Sequence, residues 1–165
     1  MIYRDRWHDR NFVDLTWDEK AMYQMVESFD GITAAGVIRA EPGILAQKHP
    51  DKDASDIETY LGRLADKGWV KRSGSEVFVI SWFIRQPAQI KSDRNLKAIQ
   101  SAINRIGYDD LRANVIQALF DAILEVARID GAQPSTQVRQ VCQEIAEQHD
   151  VELPTQLAGS NGKRG

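Results

Sequence analysis

Lys52, Ser55, Thr59 and Arg63 follow one another at intervals of three or four residues, so on a helix their side chains leave from one side. Each can donate a hydrogen bond to a phosphate oxygen or to the acceptor edge of a base. Lys71 and Arg72 follow closely, then Arg85, Lys91 and Arg94, a series suited to the salt-dependent part of binding to a polyanion. Interleaved with the first four stand Asp51, Asp53, Asp56, Glu58 and Asp66, which oppose such a ligand. Carboxylates at a helix start also have a purely local explanation, because they complement the positive end of the helix dipole.

Charge is unevenly divided along the 165 residues, whose formal net charge is -3. Residues 69–108 carry seven basic and two acidic side chains, whereas residues 16–68 carry six and ten, and residues 109–150 three and eight. A cationic stretch between two anionic ones favours an anion-facing role for its centre.

Other chemistries find little support. Cys142 is the single cysteine, and its place between Val141 and Ile145 in a helical pattern reads as a buried structural thiol. His8, His49 and His149 are too scattered for a zinc site, and no glycine-rich phosphate loop, nucleophile with base, or spaced carboxylate pair occurs. Neither a cofactor nor catalysis is expected. No run approaches the roughly 18 apolar residues of a membrane span, and MIYRDRWHDR lacks the apolar core of a signal peptide, so a cytoplasmic location is expected.

The elements that must position these side chains follow from periodicity. Thr16 and Glu19 form a capping pair opening a first helix, on which Ala21, Met22, Met25, Val26 and Phe29 make one stripe before Asp30-Gly31. Val37-Ile38 is a short extended piece, Pro42 starts a second helix anchored by Ile44 and Leu45, and His49-Pro50-Asp51 is a turn. A third helix buries Ile57, Tyr60, Leu61 and Leu64 and stops at Lys67-Gly68. Trp69 to Arg72 and Glu76 to Trp82 read as a hairpin about Ser73-Gly74-Ser75.

Beyond it the pattern is helical. Leu96, Ile99, Ile103 and Ile106 form one face ending at Gly107. Leu111, Val115, Ile116, Leu119, Phe120, Ile123 and Leu124 fill two stripes, suiting the centre of a small bundle or an oligomer contact. Gln133-Pro134-Ser135 opens a last helix with Val138, Val141, Cys142 and Ile145. Trp7, Trp17, Trp69 and Trp82 are expected to pack in the core and hairpin rather than stack on bases.

The expected fold is mainly α with a small antiparallel β wing. It comprises an N-terminal arm (1–9), a winged helix-turn-helix (10–86), a C-terminal helical region (87–150) and a disordered tail (151–165) whose end, from Pro154, has nothing to bury.

Trp7, Phe12, Leu15-Thr16, Lys20, Tyr23, Ala35-Gly36-Val37, Leu61, Leu64 and Trp69-Val70 recur in order with Ser81-Trp82-Phe83-Ile84-Arg85, Gln89, Lys91, Asn95 and Leu111-Arg112. In that order, over about residues 7 to 124, the chain resembles winged-helix proteins of actinobacterial phages and prophages, similar in layout to phage replisome organisers and DnaD-like initiation proteins. That group usually has a Pro-Asn pair where Arg94-Asn95 stands here. The resemblance implies a DNA-associated role in replication initiation or transcriptional control.

Two functions are therefore expected. In the first, the protein binds double-stranded DNA through Lys52, Ser55, Thr59 and Arg63 on the third helix and through Lys71, Arg72, Arg85, Lys91 and Arg94. In the second, it is an adaptor, inhibitor or anti-repressor that meets a host or phage replication protein. Asp56, Glu58 and Asp66 then offer the charged contact, and Leu119, Phe120 and Ile123 the apolar one, in a possible homo-oligomer.

Overall fold

The computed structural model describes residues 10–159. The expected arm 1–9, with Trp7 and His8, and the tail from residue 160 lie outside the described residues. In chain order the elements are α1 (Arg10–Val13), α2 (Trp17–Glu27), β1 (Val37–Arg39), α3 (Pro42–Ala46), α4 (Ala54–Asp66), β2 (Val70–Ser73), β3 (Glu76–Val79), α5 (Pro87–Ile90), α6 (Asp93–Asn104), α7 (Asp109–Asp130) and α8 (Thr136–His149). The protein is mainly helical, with a three-stranded antiparallel sheet ordered β1-β3-β2.

Local chemistry sets the helix starts. Thr16 accepts from the Glu19 amide at 3.2 Å while Glu19 accepts from the Thr16 amide at 3.0 Å, closing a reciprocal cap on α2. Asp53 and Asp56 do the same for α4, at 2.9 and 3.1 Å. Because Asp53 is the cap, Lys52 precedes α4 instead of riding on it. Ser92 and Ser135 cap α6 and α8 one way, their hydroxyls accepting from the Asn95 and Val138 amides.

The sheet separates two cores. Pairing of Val37 with Phe78, Ile38 with Val77 and Val70 with Val79 fixes the register, and alternation then divides the strands between two faces. Ile38, Val70, Val77 and Val79 pack with Phe12, Tyr23, Leu45, Ile57, Leu61 and Leu64 of the N-terminal helices. On the opposite face, Val37 and Phe78 pack with Phe83, Ile99, Ile106 and Leu111 and the bundle of α6, α7 and α8. All four residues of β3 are buried, as expected of a strand covered on both faces.

Several expectations are corrected. Leu119, Phe120 and Ile123 are buried in the second core, so α7 is the centre of the bundle and these side chains face no partner. Leu157 is fully buried against the same core, and a short turn at Pro154 carries it there; the tail from Pro154 therefore does bury a side chain. Trp17 is 79% exposed because the first helical position of α2 points it away from the core, with the Lys20 ammonium 5.3 Å above its ring. Ile44 is exposed, since α3 is a short helix that turns only Leu45 inward. Strand β3 stops at Val79, where Trp82 donates back to its carbonyl at 3.0 Å in a turn. No described helix is long and apolar enough to cross a membrane.

Candidate nucleic-acid interface

Helix α4 is amphipathic, burying Ile57, Leu61 and Leu64. Ser55, Thr59, Gly62 and Asp66 fall on one outward line at i, i+4, i+7 and i+11, flanked by Glu58 and Arg63. The Thr59 hydroxyl donates to the Ser55 carbonyl at 3.0 Å, and the Arg63 guanidinium lies 6.0 Å from the Tyr60 ring centre. Lys52 is occupied: its ammonium donates to the Tyr60 hydroxyl at 3.2 Å and to Asp18 at 3.5 Å. The Tyr60 hydrogen bond and the Asp18 charge raise its pKa above the ordinary lysine value.

The acidic groups that argued against a polyanion are largely used within the fold. Asp53 and Asp56 serve the cap. Glu58 takes both guanidinium arms of Arg72 on β2, at 2.9 and 2.8 Å, and that bond holds its carboxyl below the usual range. A residue expected to grip DNA and one expected to greet a protein thus neutralise each other. Asp66 and Asp51 remain exposed, at the two ends of α4.

The hairpin is not a free arm. Lys71 and Arg72 point to opposite faces of the sheet, so they do not act as a pair; Lys71 is exposed on the side of the C-terminal helices. At the tip, Ser73 donates to Asp110 at 2.6 Å, an interaction that lowers the Asp110 pKa. Tyr108 lies directly on Gly74, whose φ is +54°, and a Cβ there would fall 2.0 Å from the tyrosine oxygen. Buried Glu76 accepts the Gly107 amide on its two carboxylate oxygens at 3.2 and 3.0 Å, with the Arg39 guanidinium 3.9 Å away.

Two further expected cations are also engaged. Arg85 is half-buried, paired with Glu27 of α2 and 5.6 Å from the Tyr23 ring centre, so it fastens the turn after β3 to α2 and does not face solvent. Lys91 pairs with Asp130 at the end of α7. Arg94 is exposed on α6 and makes no ion pair among the described residues. Of the nine residues expected to contact DNA, the structure leaves Ser55, Thr59, Arg63, Lys71 and Arg94 outward and uncommitted to ion pairs. They do not share one face.

Sequence reasoning passed over Arg39, Lys97 and Arg105, which are exposed too. The signal was present for two of them, because Lys97 and Arg105 belong to the cationic segment 69–108 and sit at helical spacing from Arg94. Cys142 is buried, and burial pushes its thiol up to about 12, leaving it unreactive at neutral pH. Among the described residues no group of three or more His, Cys, Asp or Glu side chains could hold a metal ion. No protein-family model matches the chain, and no curated protein or solved structure is significantly similar to it.

Proposed function

We propose that residues 10–86 form a winged helix-turn-helix and that the protein binds double-stranded DNA with the outward face of α4 in the major groove. The order two helices, strand, two helices, two strands, with β3 between β1 and β2, supports that fold. The function rests chiefly on one observation: Glu58 is neutralised by Arg72, and Asp53 and Asp56 are held in the cap, so Ser55, Thr59 and Arg63 face outward with Asp66 the one unengaged carboxylate on their line. Small side chains along its midline, including Gly62 with open space above it, let the helix backbone approach base edges closely. Replication initiation or transcriptional control in a phage or prophage is the setting we infer from the ordered likeness described above.

In this proposal the hairpin contributes less than a wing usually does, because its tip is held by Tyr108 and Asp110. Fluorescence anisotropy of a labelled duplex, titrated at low and moderate salt, tests it. Wild type should bind with an affinity that falls steeply as salt rises, and Thr59→Ala with Arg63→Ala should weaken binding by about tenfold or more. Absence of binding at low salt would sink the proposal.

A further inference from the structure

Among the described residues many cations have a carboxylate partner: Arg72 with Glu58, Lys67 with Glu19, Lys91 with Asp130, Arg112 with Asp109, Arg128 with Glu125. Arg63 and Lys71 are exposed without one, each on a different element, whereas helix α6 gathers three such cations. Arg94, Lys97 and Arg105 at its C-cap lie at i, i+3 and i+11, a single solvent-facing stripe with Ser101 between them, and none forms an ion pair among the described residues. The Arg105 guanidinium only touches the Ser101 carbonyl of its own helix, at 3.4 Å. Across a groove lined by Thr33, Val37, Ala102 and Ile106, Arg39 of β1 adds a fourth cation, its side chain 79% exposed and its guanidinium 3.9 Å from the buried Glu76 carboxylate.

The anions facing this surface are few. Asp93 is the one acid on α6, at its first position, and Glu76 at the groove floor already takes the Gly107 amide. Where α8 meets α6 it presents Gln148 to Gln100 and His149 to Asn104, neither a carboxylate. Folding does not call for Arg94, because a cation in the first turn of a helix opposes the dipole. From Arg94 to Arg105 the axial rise is about 16 Å, the length of roughly five stacked base pairs.

We propose that this stripe, Arg94, Lys97 and Arg105 with Arg39, is a second binding surface that holds the phosphodiester backbone of double-stranded DNA. The surface rests on the DNA-binding proposal above and extends it to a part of the chain outside the helix-turn-helix. Its contacts are to phosphate oxygens, so it contributes affinity without sequence preference.

The test uses the full chain and a labelled duplex of mixed sequence, with salt varied from about 50 to about 200 mM. For Arg94→Ala, Lys97→Ala and Arg105→Ala together, the slope of log affinity against log salt should be shallower by about 2.7, three lost phosphate contacts. The matching glutamine triple should behave identically, with unchanged circular dichroism for both. A control that removes the same charge elsewhere, Lys20→Ala, Lys48→Ala and Arg128→Ala, should leave the slope nearly as in wild type. If wild type binds and the α6 triple keeps its slope, or the control loses as much, this surface is refuted while DNA binding through α4 stands. If wild type binds no duplex at low salt, both fall.

Discussion

Glu19 shows how a buried charge is kept in this fold. Burial alone would raise its pKa, but the Lys67 hydrogen bond at 2.7 Å, the Thr16 amide and the charges of Lys67 and Arg63 outweigh that and lower it. A carboxyl whose folded pKa lies below its unfolded one stabilises the native state above the ordinary carboxylate range, and the contribution is lost as pH falls through the lowered value. Urea melts from neutral pH to about pH 3 should therefore show wild type losing more stability on acidification than Glu19→Gln, which starts less stable at neutral pH. Thr16 and Glu19 were legible as a cap because the motif is local. The Lys67 partner was not, because 48 residues separate it from Glu19. Gly74 has a similar history: the sequence marks it as a turn, and only the fold brings Tyr108 onto it. Gly74→Ala should cost roughly 1 to 3 kcal/mol in chemical denaturation, part of it recovered in Gly74→Ala with Tyr108→Ala, since positive φ remains strained after the clash is removed.

Among elements, those with long periodic stripes were read well and those fixed by tertiary contact were not. Helices α4, α6, α7 and α8 follow their apolar spacing, whereas α1 and α5, of four residues each, are too short to show a period. The third strand, β1, carries only the Val37-Ile38 pair as a hint, since a strand that closes a sheet edge needs few residues of its own. Position errors have particular causes. Asp51 and Asp53 both suit an N-cap, and Asp56 selects Asp53 because it stands three residues on, which leaves Lys52 outside the helix. Leu157 stands in a polar stretch with no periodic neighbour, so nothing local reveals its burial. Leu157→Ala should destabilise the protein by about 2 to 4 kcal/mol in a urea melt, the cost of a buried leucine truncation. A surface tail would show almost none.

At the scale of the molecule, the central sheet belongs to both halves. Val37 and Phe78 face the C-terminal bundle, while Ile38 and Val77, their chain neighbours, face the N-terminal helices. Ending the chain at Gly107 removes α7 and α8 and uncovers Phe78, Phe83 and Ile99, so that piece should associate or precipitate where the full chain does not. Sedimentation velocity of the two chains would decide it, with a well-behaved monomer from the short one counting against the shared sheet. The expectation of a broad apolar seam on α7 came from the correct residues, and their burial inside one chain accounts for them without a second copy.

The joint at the hairpin tip has a practical consequence. Tips of this kind ordinarily accept added residues, since nothing surrounds them. Here Ser73, Gly74 and Glu76 are fastened to Asp110, Tyr108 and Gly107, so a peptide tag or reporter domain spliced in at Ser75 would wedge the bundle off the sheet. Lengthening this loop should abolish expression of folded protein, and a circular permutation opened there should fare no better.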